Sequence, residues 1–266
     1  MNANEFPITL ILASAIILVN VAEIILIFKA KKNCSLFQRL LLSLAVADLL
    51  VGLSQLTLPI ALPETKIKQY KLDGVLCFTI AASVNHVNAI TVDRFLAICW
   101  PLKHRYLISR KRILIIIAVT WCISFVMLTP RIVGDNFNHV RYIFSIATLA
   151  YSCAMIFFYS FIIYRVVVIR RKGIIKTAKG VTNAAQASKD VQLVVVSVTL
   201  TTTFLLCTIP FCVFTFITES IPPPAKYLLL SNSLCNPIVY FFWKFLQSKS
   251  KILKPAMSQT QVINSS

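Results

Sequence analysis

The sequence predicts an all-α membrane protein, a bundle of seven transmembrane helices. Composition is the first reason: 58% of the 266 residues are hydrophobic, 14% are charged, and the mean hydropathy is +0.78. A soluble domain of this size has no room to bury so much apolar surface. Spacing is the second reason, because basic runs and Pro, Gly or Asn breaks separate apolar stretches of about 20 residues, the length of a membrane-spanning helix.

Seven apolar stretches follow one another along the chain, and we number them spans one to seven. They cover residues 8–28, 38–62, 74–99, 113–133, 142–169, 191–217 and 226–243. No linker rich in Ser, Gly or Pro separates them, and no internal repeat indicates the paired halves of a transporter. We therefore expect one seven-span domain over residues 1–245 and a tail over residues 246–266.

Positive charge is distributed unequally between the two sides of the predicted bundle. The chain has 27 Lys and Arg residues. One side holds only Lys66, Lys68, Lys71, Arg131, Arg141 and Lys226. The others collect on the opposite side, which the positive-inside rule assigns to the cytosol. We expect an extracellular amino terminus, a cytoplasmic carboxyl terminus and a multi-pass protein of the plasma membrane.

Two other classes of protein are excluded at this point. A net charge of +18 could indicate nucleic-acid binding, but the basic residues fall in short runs between spans. The expected partner is the lipid bilayer, and no nucleic acid is expected. The sequence has no metal-binding, phosphate-loop or nucleophile constellation, so we do not expect an enzyme.

Polar residues inside the spans form the first candidate site. They are Asn20 in span one, Asp48 in span two, Ser83 in span three, and Asn232, Ser233 and Asn236 in span seven. A carboxylate among hydroxyl and amide oxygens suits a small hydrated cation or a proton-coupled switch. A hydrogen-bonded packing cluster explains the same residues equally well, and both interpretations stay open. Glu23 in span one has no assigned role.

Asp93 and Arg94, followed by Phe95, form the second candidate site. They lie where span three ends and a basic loop begins. Charges are unfavourable in hydrocarbon, so a carboxylate and a guanidinium at the exit of a span indicate a site that holds or releases a partner. The charge asymmetry places this pair on the cytosolic side.

Four short motifs occur in order along the chain. They are LAVADLL at residues 44–50, Asp93-Arg94-Phe95 with Pro101 and Leu102 following, Trp121, and NPIVY at residues 236–240. Together they resemble the LAxAD, DRY, fourth-span tryptophan and NPxxY motifs of the rhodopsin-like, or class A, G-protein-coupled receptors. The resemblance extends from Asn20 to about Phe245 and carries an expectation of the same fold and function.

This resemblance implies a switch around Arg94. Asp93 and an acidic residue at the inner end of span six would hold Arg94 in the resting state. Asp190 is available, since it lies about 20 residues, or about 30 Å of helix, before the kink expected at Pro210. Alternatively, Asp190 caps span six or offsets the charge of Lys189.

Further roles follow from the same resemblance. Tyr240 and Tyr159 would contact Arg94 once it is released, and Pro237 would form a second kink. Phe204 occupies the aromatic hinge position of span six, although ordinary packing explains it as well. The implied partners are an extracellular small-molecule, lipid or peptide ligand, a heterotrimeric G protein, arrestin and a receptor kinase. A sodium ion bound near Asp48 is the only cofactor suggested.

The chain departs from the family pattern in its other half. Thr208 stands where the family usually has a span-six tryptophan, and Tyr151 stands where it has a span-five proline. Gln69 replaces the cysteine of the usual extracellular disulfide, which favours the melanocortin and adenosine branch weakly. A receptor-like protein without ligand-driven signalling is therefore the main alternative. A seven-span channel or transporter is a more distant one.

The sequence limits the class of ligand only by excluding some classes. Leu76 replaces the aspartate that binds cationic amines in this family, and Leu230 replaces the lysine that binds retinal. The residues expected to line the pocket are Leu76, Cys77, Ile80, Thr208, Phe211, Cys212, Thr215 and Lys226. Such a pocket is mainly apolar with a few hydroxyl groups and one cation, which suits a lipid, a nucleoside or a small anion.

Overall fold

The computed structural model describes residues 5–29, 36–61, 66–126, 137–177, 184–218 and 222–263. Within these ranges, the side chains at 58–61, 66–73, 137–141, 171–177, 184–194, 246–263 and a few single positions lie outside what it describes. Every regular element in the described ranges is an α-helix. This confirms the prediction of an all-α protein.

Each predicted span corresponds to one long helix. The helices of spans one to seven are Glu5–Lys29, Leu36–Ala61, Lys66–Cys99, Arg110–Val126, Phe137–Thr177, Ala184–Ile217 and Pro223–Ile263. A short helix, Pro101–Leu107, lies between spans three and four, and we call it the loop helix. Pro101 suits its first position because proline has a helical φ and no N–H group to leave unpaired.

Five of the described helices are long and apolar enough to cross a membrane. The qualifying segments are Phe6–Lys29, Phe37–Thr57, Gly74–Cys99, Tyr142–Arg165 and Val195–Ile217. Span four is described only as far as Val126. Span seven carries buried polar side chains, including Asn232 and Asn236, which lower its hydropathy.

The outside of the bundle is apolar, unlike the surface of a soluble protein, and polar side chains are buried inside. Large apolar side chains face outward, among them Leu18 at 70% exposure and Phe157 at 67%. Asn20, Asp48 and His86 are fully buried at 0% exposure. An apolar exterior around a hydrophobic core that also holds buried polar groups is the arrangement that a lipid environment favours.

Span three occupies the centre of the bundle. It packs against spans two, four, five and six and against the loop helix. Span seven closes the bundle by packing against spans one, two and six. The carboxyl end of span three, which carries Arg94, therefore lies among several helices that can move relative to it.

Gly52 sets the close approach of spans one and two. A Cβ atom at this position would lie 2.9 Å from Cγ1 of Ile17 and 3.1 Å from the carbonyl oxygen of Ala13. No side chain fits in that space without a shift of span one. Glycine thus allows the two helices to pack directly, and Asn20 and Asp48 lie on these two helices.

Candidate functional site

Arg94 is buried in an ion-paired cluster at the end of span three. Its Nε donates a hydrogen bond to Oδ2 of Asp93 at 3.0 Å, and its Nη2 binds the same oxygen. The other carboxylate oxygen, Oδ1, lies 3.0 Å from Nε2 of His104 on the loop helix. Asp93 and Arg94 are 4% and 8% exposed. Both oxygens of Asp93 are therefore engaged, one by each neighbour.

An aromatic ring covers the other side of the guanidinium. The Cζ atom of Arg94 lies 4.5 Å from the ring centroid of Phe37, at the start of span two. Phe37 packs edge-on against Trp243 of span seven, with the centroids 6.2 Å apart. Trp243 in turn lies 5.7 Å from the ring of Tyr240. Arg94 is thus connected through aromatic contacts to spans two and seven.

Three further residues of the predicted switch are Tyr159, Tyr240 and Asp190. Tyr159 of span five is buried, and its hydroxyl faces Thr91, Ser197 and Thr201 on spans three and six, close enough to Arg94 to feel its charge. Tyr240 is also buried, beside Trp243. The side chain of Asp190 lies outside the described residues, so its role as a latch stays a prediction.

Phe95 takes part in an aromatic cluster on the side of span five. Its ring lies 4.8 Å from Phe158, 5.7 Å from Phe161 and 5.3 Å from Trp100, measured between centroids. The phenyl ring therefore serves packing between spans three and five. It offers no hydroxyl group at the position where the family pattern has a tyrosine.

A second cluster surrounds Asp48 in the middle of the bundle. Oδ2 of Asp48 accepts a hydrogen bond from Nδ2 of Asn236 at 2.8 Å. The hydroxyl groups of Ser83 and Ser233 lie beside the same carboxylate. Spans two, three and seven therefore each contribute a polar group to one buried cluster, which we call the chamber.

Asn20 joins the chamber through a backbone group exposed by a proline. Its Nδ2 donates to the carbonyl oxygen of Ser233 at 3.0 Å and to that of Ile16 at 2.9 Å. In a regular helix, the carbonyl of Ser233 would bind the N–H four residues later, but that residue is Pro237, which has none. The proline of span seven thereby supplies the acceptor that fixes span one.

Several buried polar atoms in this part of the bundle have no hydrogen-bond partner among the described residues, and the hydroxyl group of Ser83 is one of them. Among the described residues, Oδ1 atoms of four buried side chains have no hydrogen-bond partner, those of Asn20, Asp48, Asn232 and Asn236. Buried oxygens without donors require water or a cation. Carboxylate and amide oxygens are ligands that hard cations accept.

Glu23 is a further buried carboxyl group near the chamber. It is 2% exposed and lies close enough to Asp48 for the two charges to interact. Two neighbouring carboxylates in a low-dielectric interior are unfavourable unless they share a proton or a cation. The sequence marked Glu23 as unexplained, and this proximity is what the structure adds.

A hydrogen-bonded network of polar side chains connects spans two, three and four, and the sequence did not predict it. Nδ1 of His86 lies 2.7 Å from the carbonyl oxygen of Ala82, which can only accept, so Nδ1 carries the hydrogen. Nε2 lies 2.7 Å from the hydroxyl oxygen of Ser43 and shares a hydrogen bond with it. Nε1 of Trp121 donates to the same Ser43 oxygen at 3.1 Å. The fourth-span tryptophan is therefore connected to His86 through Ser43.

The predicted ligand-pocket residues lie on spans three, six and seven. Thr208, Cys212 and Thr215 form one fully buried stripe of span six. The hydroxyl of Thr208 donates to the carbonyl of Phe204 at 2.6 Å, and that of Thr215 to the carbonyl of Phe211 at 2.9 Å. These hydroxyl groups can therefore offer a ligand only their lone pairs.

The other pocket residues differ in their exposure. Leu76 and Ile80 pack into the main hydrophobic core, as does Phe211, whose ring lies 6.3 Å from that of Phe144. Cys77 is half-buried, and Lys226 is exposed. The pocket itself stays a prediction.

Sequence reasoning missed Phe37, His104 and Trp243, which complete the surroundings of Asp93 and Arg94. Their position near the ends of spans was the available signal, because aromatic residues and histidine there can reach a buried charge. Many other aromatic residues share that position, since the chain contains 18 Phe. Only the rotation of each helix shows which of them faces Arg94.

Comparison with known proteins agrees with this geometry. The family model described as 7 transmembrane receptor (rhodopsin family) matches residues 19–240. The cholecystokinin receptor type A of Oryctolagus cuniculus is 30% identical over 128 residues, 45% of this chain and 30% of that receptor. The 5-hydroxytryptamine receptor 2B of Dichotomyctere fluviatilis is 37% identical over 122 residues, 42% of this chain and 25% of that receptor.

A QRFP-like peptide receptor of Branchiostoma floridae is 27% identical over 126 residues, 44% of this chain and 33% of the receptor. The chain thus spans a third or less of the curated relatives it matches. None of these three names bears on the melanocortin and adenosine branch, which stays a prediction. The family match covers both clusters, from Asn20 to Tyr240, and the chain belongs to the rhodopsin family of seven-transmembrane receptors.

Proposed function

We propose that the chain is a G-protein-coupled receptor of the plasma membrane, which binds an extracellular ligand and activates a heterotrimeric G protein. The observation that carries the proposal is the environment of Arg94. Its charge is held inside the bundle by Asp93 of the same helix and by Phe37 of span two. A buried cation with breakable contacts is suited to a two-state switch.

The proposed mechanism is a change in the partners of Arg94. The contacts of Arg94 with Asp93 and Phe37 support a resting state in which the guanidinium is held by these two residues. In the active state, span six moves outward, Arg94 leaves this environment, and the α-subunit of the G protein enters the opened cytosolic cleft. Tyr240 then becomes a new neighbour, and Tyr159, which already lies within range of the charge of Arg94, contacts it directly. An agonist drives this change only as far as it binds the open state more tightly.

Asp190 would provide a second contact for Arg94 in the resting state. Span six packs against span three, so its inner end can approach Arg94. Breaking that contact would be part of the outward movement of span six. Arrestin and a receptor kinase are the further partners that the family implies for the same cytosolic surface and the tail.

We propose that the chamber around Asp48 holds a sodium ion in the resting state. Asp48 and the unpaired amide oxygens of Asn20, Asn232 and Asn236 offer the oxygen ligands that such an ion requires. The ion would neutralise a carboxylate located between spans two and seven, which stabilises their present packing. Nucleotide exchange measured against sodium concentration tests this proposal.

A receptor-like protein without ligand-driven signalling is the second candidate function. It is favoured by Thr208, whose hydroxyl is bound to its own helix and whose small side chain cannot act as the aromatic lever of span six. Under this alternative, a lipid, nucleoside, small anion or peptide would bind without changing the position of span six. The two candidates differ in basal and ligand-induced nucleotide exchange.

The deciding experiment measures nucleotide exchange on G proteins in membranes that contain the full chain. We expect Asp190→Ala to raise basal exchange, because it removes a resting contact, and Arg94→Ala to lower it. Arg110→Ala, at an exposed arginine near the same end of the bundle, is the matched control and should leave exchange unchanged. Equal exchange in all four proteins, at equal surface amounts, would contradict the proposed function. A panel of nucleosides, lipids and peptides then searches for the ligand.

A further inference from the structure

We propose that Ser109, in the turn between the loop helix and span four, is a phosphorylation site, and that its phosphate releases the loop helix by capturing Arg112. Residues 108 and 109 are the two non-helical positions between these helices. Ser109 is exposed, and Ile108 has an extended backbone, with φ −102° and ψ 97°. Exposed turns are the parts of a fold that other enzymes reach most easily. The proposal rests on the proposed function in one respect, since a kinase reaches this turn only if it faces the cytosol.

The surroundings of Ser109 are strongly positive. The three residues that follow it are all Lys or Arg, and all three are exposed. The sequence contains no Asp or Glu between residues 93 and 135, so this stretch has no carboxylate of its own to offset the positive charge. Protein kinases select substrates partly by their pattern of charges. This pattern favours a kinase with an acidic substrate groove.

Arg112 connects the end of the loop helix to the start of span four. Its Nη1 donates to the carbonyl oxygen of Tyr106 at 3.1 Å and to that of Leu107 at 2.9 Å. These carbonyl groups belong to the last turn of the loop helix, where a helix has no further N–H groups of its own to bind them. The guanidinium is thereby held by two neutral acceptors.

The hydroxyl of Ser109 binds the backbone of the same arginine. Its Oγ accepts a hydrogen bond from the N–H of Arg112 at 3.3 Å. A phosphate on this oxygen would bring nearly two negative charges and three acceptor oxygens close to the guanidinium. A guanidinium–phosphate pair is stronger than a guanidinium–carbonyl contact, because both groups are charged and two parallel hydrogen bonds can form. We therefore expect Arg112 to leave the carbonyls of the loop helix for the phosphate.

The loop helix is too short to be stable alone. It has seven residues, and isolated helices of this length are marginal in water. It also carries His104, whose Nε2 lies 3.0 Å from Oδ1 of Asp93. Release of the loop helix would therefore remove one of the two neighbours that hold Asp93 beside Arg94. We expect phosphorylation to raise basal nucleotide exchange for this reason.

The modification is a phosphoryl transfer from ATP. The Oγ atom of Ser109 attacks the γ-phosphorus, the bond from that phosphorus to the oxygen bridging it to the β-phosphate breaks, and ADP leaves. The hydroxyl proton passes to the catalytic base of the kinase.

The first experiment incubates permeabilised membranes containing the full chain with a cytosolic cell extract, ATP, Mg²⁺ and phosphatase inhibitors, and locates phosphate by mass spectrometry. We expect phosphate on Ser109, and none in the same peptide of Ser109→Ala. A synthetic peptide of residues 103–114 shows whether the extract acts on this sequence. A phosphorylated peptide with Ser109 unmodified in the full chain would overturn the proposal, because the turn is then inaccessible. If neither is phosphorylated, the proposal fails because the sequence is not recognised.

The second experiment measures deuterium uptake by the amides of residues 102–107 in the purified full chain. We expect uptake to become severalfold faster after phosphorylation. Arg112→Ala should cause the same increase without phosphate, because it removes the guanidinium. Lys111→Ala, at the exposed neighbouring cation, is the matched control and should not cause it. Unchanged uptake in the phosphorylated chain would contradict the release of the loop helix.

Nucleotide exchange by the same protein separates the site from its effect on the receptor. Basal nucleotide exchange that rises severalfold on phosphorylation, and falls again after phosphatase treatment, supports the connection from the loop helix to Arg94. Unchanged nucleotide exchange with faster deuterium uptake shows that this connection is wrong. Nucleotide exchange that is absent in both forms contradicts the proposed function, while mass spectrometry and deuterium uptake still decide the phosphorylation site.

Discussion

The two halves of the bundle differ in how their polar groups are bonded. In the half that carries Arg94, polar and aromatic side chains bond across helices: Arg94 to Phe37, Asp93 to His104, and Phe37 to Trp243. In the half that carries Thr208, the hydroxyl groups of Thr208 and Thr215 bond to their own helix, and the contacts between helices are aromatic, as between Phe144 and Phe211. A contact between helices must change when the helices move, but a contact within one helix need not.

The difference indicates which half of the bundle can adopt two sets of contacts between helices. The Arg94 half holds contacts whose partners lie on separate helices, so a rearrangement can exchange them. The Thr208 half has lost the tryptophan that the family pattern places there, and the structure describes no interhelical hydrogen bond of Thr208 that replaces it. The proposed mechanism of G-protein activation is therefore better defined than the response to a ligand.

The largest expected effect comes from removing the aromatic ring that covers Arg94. Phe37→Leu keeps an apolar side chain but removes the cation–π contact at 4.5 Å. A desolvated contact of this kind contributes about 2 kcal/mol. If it belongs only to the resting state, basal nucleotide exchange should rise by up to about 30-fold.

Phe161→Leu is the matched control for this prediction. Phe161 also lies near a cation, Arg165, at 6.0 Å, but it is exposed and reaches the Asp93 pair only through the ring of Phe95. We expect little change in exchange. Similar effects of the two substitutions would show that Phe37 acts through general packing, and the contrast between the two halves would lose its main support.

Much of this fold was predictable from the sequence, because the position of each helix and of its polar residues depends on local composition. Apolar length identified the helices, and the polar residues Asn20, Asp48 and Asn236 stood out against hydrocarbon. The helices continue past the predicted spans, for example to Thr177 in span five, since helical propensity does not end at the membrane surface. The hydropathy pattern contains no signal for those extensions.

The contacts of Phe37, His104 and Trp243 were not predictable in this way. Each depends on the rotation of one helix relative to another, and a period of 3.6 residues does not fix that rotation when apolar residues occupy all faces. Lipid-facing and core-facing Phe residues are equivalent in composition. Only tertiary packing distinguishes Phe37, against Arg94, from the exposed Phe157.

A medium-sized effect on basal nucleotide exchange is expected from substitutions in the chamber around Asp48. Asp48→Asn removes the charge that would bind sodium and keeps an amide that can face Asn236. If sodium binds only the resting state, a concentration of four times the Kd should reduce basal exchange up to about fivefold in the intact chain. The substituted chain should show no such dependence. The measurement is a sodium titration with total ionic strength held constant by N-methylglucamine.

An equal response to sodium in both proteins would exclude Asp48 as a ligand. In that case the polar residues are a packing cluster, the alternative that the sequence left open. Replacing sodium by potassium is the ion control, and it should not reproduce the effect if the chamber is selective. The result would show whether the Arg94 half and the Thr208 half communicate through a bound ion.

The smallest effect on basal nucleotide exchange is expected at Thr208. This prediction tests the half of the bundle that does not carry Arg94. Thr208→Val keeps the shape of the side chain and removes the hydroxyl that donates to the carbonyl of Phe204. Hydrogen bonds in membrane helices contribute about 0.6 kcal/mol on average, so thermal stability should fall only slightly. Basal exchange should change less than about threefold, the factor that corresponds to this free energy. A larger change in exchange would mean that Thr208 relays movement in span six, because a bond within one helix cannot by itself couple that helix to its neighbours.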